Sequence, residues 1–142
     1  MAITNSASAR WSGDLKTGTG AISTRSASLS GVPYDFRKRF EGAAGTNPEE
    51  LIGAAHAACF SMALSGELGK TGLVAEDIKT TATVTLDFPG GSATVTAIHL
   101  DLEARIPGAS AAALQAAAES AKANCPISRL LKAEITLSAR LV

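Results

Sequence analysis

Apolar and polar positions alternate over three long stretches of the chain, and three others, rich in small and apolar residues, read as helices. Ile78, Thr80, Ala82, Val84, Leu86 and Phe88 alternate with polar neighbours, the period of a half-buried strand. Pro89-Gly90-Gly91 turns the chain. The next strand carries Ile98, Leu100, Leu102, Ala104 and Ile106 on one face and His99, Asp101, Glu103 and Arg105 on the other, and Pro107-Gly108 ends it. A final strand is marked by Ile135, Leu137, Ala139 and Leu141. Nearer the N-terminus the texture is also strand-like: Arg10–Gly13, Gly18–Thr24, and a third run from Val32 to Phe40, with glycines at the turns. Residues 1–8 are small and polar and are expected to be loose.

Between these stretches lie helical patterns. Asn47-Pro48-Glu49-Glu50 is a helix start: Asn47 suits the N-cap, Pro48 the first turn, and Glu50 the acidic position of a capping box. That helix is predicted to run to Glu67 or Leu68 and to stop near Gly69 or Gly72. Ser110 caps an alanine-rich second helix to about Ala123, and Cys125-Pro126 opens a short third one over Ile127–Leu131. The sum is an α+β fold, with antiparallel sheets and the helices gathered on one side. The 142 residues are the size of one domain.

The helix after Asn47 cannot satisfy itself. Its side chains from Leu51 to Leu64 are apolar or very small almost all the way round, with His56, Ser61 and glycine as the breaks. A helix apolar on every face must be covered on every face, and three small helices in one short chain can hardly do so. An obligate homodimer with this helix at its centre is the expectation; a helix buried wholly within one subunit is the alternative. The low-charge run Leu51–Ser65 is too short to span a bilayer.

Composition narrows the partners. Formal net charge is zero, and there is no basic stripe or row of exposed aromatics for a nucleic acid. The N-terminus lacks the charged and apolar regions of a signal peptide, so a soluble cytoplasmic protein is expected, where a permanent disulfide is disfavoured.

The chain has two cysteines, Cys59 within the apolar helix and Cys125 directly before Pro126. Read locally, Cys59 could be an inert core thiol. Cys125, at a helix N-terminus, is electrostatically better placed to ionise. His56 shares a helix face with Cys59, so a Cys–His nucleophile pair is one option and a hydrogen-bonded core histidine the other. Two cysteines, two histidines and no CxxC spacing argue against zinc, and no hydrolase, P-loop or dinucleotide motif is present.

The segment Asn47-Pro48-Glu49-Glu50-Leu51-Ile52-Gly53-Ala54-Ala55-His56-Ala57-Ala58-Cys59-Phe60-Ser61-Met62-Ala63-Leu64, together with Asn124-Cys125-Pro126-Ile127-Ser128, resembles the OsmC/Ohr family of bacterial thiol peroxidases, and its OsmC branch in particular. Tyr34–Gly42 and Leu131–Leu137 look like that branch too. The resemblance implies antiparallel sheets wrapped around central helices in an intertwined homodimer, with two active sites between subunits. It implies reduction of organic and inorganic hydroperoxides, with Cys59 as the peroxidatic cysteine, Cys125 as the resolving one, and Arg39 and Glu49 assisting. It implies an external dithiol reductant, such as dihydrolipoamide or a lipoylated protein, and no metal, haem or flavin.

The residues fit that chemistry. Only a thiolate attacks a peroxide, and Arg39 offers a cation to stabilise it and the leaving alkoxide. Glu49 can orient the guanidinium through a bidentate pair. Phe36, Phe40, Phe60 and Met62 are candidates to wall a pocket for an alkyl peroxide, or are plain core. Glu49 and Cys59 stand ten residues apart on one helix, roughly 15 Å, so a site using both must take Glu49 from the partner subunit. The rival readings are a non-enzymatic redox-sensing thiol protein and a Cys–His acyl-transfer enzyme.

Overall fold

The computed structural model describes residues 1–142, which form two compact units, 1–51 and 52–142. In the first, β1 (Ala7–Ser12), β2 (Thr19–Thr24) and β3 (Val32–Tyr34) make an antiparallel sheet in that order. The terminus is tied down earlier than expected, because Ala7 and Ser8 already pair with Thr24 and Ser23. The β1–β2 turn is set by Asp14, whose carboxylate accepts from the Lys16 and Thr17 amides and the Thr17 hydroxyl. It closes at Gly18, where a Cβ would overlap the Ser12 and Asp14 carbonyls.

The expected strand from Val32 to Phe40 is half wrong. It stops at Tyr34 and gives way to a short helix, α1 (Phe36–Phe40). Asp35 is the reason: its extended backbone and carboxylate cap the helix by accepting from the Lys38 amide at 2.9 Å. The helical turn stacks Phe36 on Phe40, with ring centroids 4.8 Å apart.

The long helix α2 (Pro48–Gly69) starts where the sequence says, with the Asn47 side chain accepting from the Glu50 amide at 2.8 Å. Glu50 does not complete the capping box; its carboxylate accepts from the Thr46 hydroxyl instead. At 22 residues the helix exceeds the uncharged run, because the glutamates at its ends remain helical. By length and composition alone it could cross a membrane, but one stripe of it, Gly53, His56, Phe60, Leu64 and Leu68, is buried.

That stripe lies in the core of the second unit. β4 (Asp77–Asp87) and β5 (Thr94–Arg105) form a long antiparallel hairpin through a 3-10 turn at Pro89–Gly91. β6 (Glu134–Leu141) joins β5 in parallel, which corrects the all-antiparallel expectation. A parallel neighbour needs a crossover, and α3 (Ala111–Asn124) with α4 (Pro126–Leu130) supplies it. Ile98, Leu100, Leu102 and Ala104 of β5 form a buried row. Phe60, Leu64 and Leu68 of α2 and Leu114, Ala118 and Ala121 of α3 complete one continuous core with it. The opposite face of α2 is open: Ala54, Ala55 and Ala58 are exposed, and Met62 is 79% exposed.

Candidate active site

Each unit brings together one pair of the residues that the sequence singles out. In the first unit, Arg39 of α1 meets Glu49 in the first turn of α2. Arg39 Nη2 donates to Glu49 Oε1 at 2.7 Å, and Nε reaches both carboxylate oxygens at 3.2 Å. This is a forked pair, stronger and more directional than a single contact. Glu49 is almost completely buried, whereas the Arg39 side chain is 37% exposed. The guanidinium is thus held firmly yet open to an incoming group. Its neighbours are otherwise engaged: Arg37 with Glu41 at 3.6 Å, and Lys38 with Asp35. A cleft of about 260 Å³ opens beside Arg39, walled by Trp11, Leu15, Tyr34, Phe36 and Phe40. Phe36 and Phe40 therefore line a pocket. Phe60 does not, being fully buried in the core, and Met62 faces outward.

In the second unit, Cys59 of α2 and Cys125 at the α3–α4 junction lie side by side as free thiols. Cys125 ends α3 by donating its amide to the Ala121 carbonyl and precedes the proline that opens α4. It is completely buried, while Cys59 is only partly so. Access therefore favours Cys59 as the nucleophile, because a thiol attacks only a peroxide that can reach it. Burial pushes the Cys59 thiol up, and hydrogen bonding with the Cys125 side chain raises it further. The backbone N–H of Ile127 acts the other way.

His56 is a buried histidine that bonds the Ser128 hydroxyl at 2.7 Å. It is held below the ordinary histidine range by burial. Ser128 is the member of this site that sequence reasoning missed. The second histidine, His99, sits on the exposed sheet face, where Ser138 bridges it to Asp101. That order leaves no acid behind the histidine, so it is no hydrolytic triad. No three His, Cys, Asp or Glu side chains are grouped to hold a metal ion.

The OsmC-like protein family matches residues 41–140, a span that includes both cysteines and Glu49. This chain belongs to the OsmC family. It is 51% identical over 141 residues, 99% of each chain, to the peroxiredoxin OsmC of Escherichia coli (strain K12). Solved structures share the fold. An OsmC-like protein of Vibrio cholerae superposes with a TM-score of 0.77 at 16% identity, over 98% of this chain and all of that one. The organic hydroperoxide resistance protein OhrB of Bacillus subtilis gives 0.72 at 23%, over 99% of this chain and 98% of its own.

Proposed function

We propose that this chain is a cysteine-based hydroperoxide reductase, a single OsmC-like domain acting as a soluble, cytoplasmic homodimer. Full-length kinship to a peroxiredoxin makes it a peroxide-reducing thiol protein. The observation that carries the finer reading is the pairing of a partly exposed Cys59 with a buried Cys125 beside it, both reduced.

The cycle balances without a cofactor. Cys59 thiolate attacks the outer oxygen of ROOH; the O–O bond breaks, alcohol or water leaves with a proton, and Cys59 becomes a sulfenic acid. Cys125 then displaces the hydroxyl as water and forms a disulfide. An external dithiol, such as dihydrolipoamide or a lipoylated protein, reduces it by exchange.

The thiolate needs a cation that its own surroundings do not provide. The Arg39–Glu49 pair is the candidate. Because Arg39 is bound to Glu49, and Glu49 is roughly 15 Å along α2 from Cys59, the pair acts on the partner subunit's Cys59. The open apolar face of α2, with Met62 at its middle, supports this dimer: it is a surface a second copy would cover. The cleft beside Arg39 suits the alkyl group of an organic hydroperoxide.

Turnover of hydrogen peroxide, tert-butyl hydroperoxide and a fatty-acid hydroperoxide, with dithiothreitol or dihydrolipoamide as reductant, tests the reading. Stoichiometric oxidation without turnover would replace it with a redox sensor. Mixed Cys59→Ser and Glu49→Gln subunits should recover one working site per heterodimer; no recovery, with exchange confirmed, removes the assignment across subunits.

A further inference from the structure

We propose that the buried His56–Ser128 hydrogen bond is a clasp that keeps Cys125 in reach of Cys59, so that both residues are positioning residues for disulfide formation. The inference rests on the peroxidase cycle above and adds what holds its second step in place.

The clasp sits symmetrically about the thiols. His56 lies three residues before Cys59 on α2, and Ser128 lies three residues after Cys125 on α4. The two are 72 positions apart in sequence and 2.7 Å apart in space. Whichever tautomer His56 adopts, one of the two groups donates and the other accepts.

α4 needs such an anchor. It is five residues long, too short to sustain itself, and Cys125 gives it no side-chain cap. Its one buried residue is Ser128. The buried side-chain hydrogen bond that ties this short helix to α2 is the one between Ser128 and His56. The turn so fixed carries Cys125 on one side of Ser128, and between them the Ile127 N–H that acts on the Cys59 sulfur.

Stability alone gives no reason for the pair. His56 Nδ1 is buried with no hydrogen-bond partner, and a buried polar atom left unpaired is unfavourable. Two apolar side chains of similar volume would avoid that penalty. What they would lose is direction, because a hydrogen bond fixes distance and angle where an apolar contact lets α4 slide.

The second step shows where direction matters. Cys125 sulfur attacks Cys59 sulfur, the S–S bond forms as the S–OH bond breaks, and the Cys125 proton leaves with the hydroxyl as water. No further oxidant enters. The reaction needs the two Cα atoms within about 7 Å and the sulfurs in line.

Single-turnover oxidation by tert-butyl hydroperoxide tests the clasp, with a dimedone trap counting sulfenic acid and mass spectrometry counting the disulfide. In Ser128→Ala the sulfenic acid should persist, disulfide formation slowing about tenfold while Cys59 oxidation falls less than about threefold, the loss expected from one buried hydrogen bond. Ser128→Thr, which keeps the hydroxyl, should rescue; its isostere Ser128→Val should not. That pair decides the matter if Ser128→Ala does not fold. Disulfide formation at the wild-type rate in Ser128→Val, or an equal slowing of both steps, overturns the clasp alone. A wild type that consumes peroxide and never forms the disulfide overturns the cycle and the clasp with it.

Discussion

The sheet β1–β2–β3 and the sheet β4–β5–β6 are each three strands wide, but they bury very different things. Every residue of β1 is exposed, and across residues 1–51 only Gly18 and Glu49 are buried. Neither is an apolar side chain. In β5, by contrast, Ile98, Leu100, Leu102 and Ala104 are inaccessible, and two helices supply the matching layer. Three strands with no buried apolar face are marginal in water. The second unit therefore holds the apolar core of the chain, while the first carries a charged pair and an aromatic cleft. The same division runs through the chemistry: the thiols lie in the well-packed unit, and the cation lies in the open one.

The comparison breaks first at the thiols. Cys59→Ser should reduce peroxide turnover by about a thousandfold or more, because no second nucleophile can replace it; steady-state assays with dithiothreitol measure this. Cys125→Ser should keep the first oxidation and lose the disulfide, which mass spectrometry of the peroxide-treated protein would reveal. Absence of a Cys59 sulfenic acid in peroxide-treated Cys125→Ser would contradict the assignment.

Next comes the core. Phe60→Ala should lower stability by about 3–5 kcal/mol, the range for a fully buried phenylalanine, measured by urea unfolding. Leu15→Ser in the first unit, at a residue 66% exposed, should cost under about 0.5 kcal/mol. Equal losses would erase the distinction between the units.

The ion pair should behave between these extremes. Glu49→Gln frees the guanidinium and should lower kcat/KM about ten- to a hundredfold with little change in unfolding. Arg39→Lys, which keeps charge and loses the fork, should fall in the same range.

The smallest effect is the pH dependence of the clasp. Burial holds folded His56 below the ordinary histidine value, so the unfolded chain takes up its proton first as pH falls. The stability contribution is complete above about pH 6.5 and is lost as pH drops from there through the lower folded value. The fall in unfolding midpoint between pH 7 and pH 5 should therefore shrink in His56→Gln; an unchanged slope would mean that other groups set it.

Local chemistry made much of this fold legible. The Asn47 cap, the alternation in β4 and β5 and the Pro–Gly turns are all properties of neighbouring residues, and the elements stand where those residues put them. The failures share a cause. Val32, Tyr34 and Phe36 alternate like a strand, yet the chain turns helical at Asp35 because a carboxylate found an amide three residues on. The parallel seating of β6 depends on where a crossover of two helices delivers it, which no strand records in its own pattern.

The sequence by itself determined the helix that carries Cys59, the proline that fixes Cys125, and membership of a thiol-based family, because each is written in contiguous motifs. Only the tertiary structure decided that the two sulfurs are neighbours, that Arg39 rather than Arg37 or Lys38 forks onto Glu49, and that Ser128 answers His56. Those are contacts between residues 10 to 72 positions apart. Chain entropy leaves such pairs open until packing closes them.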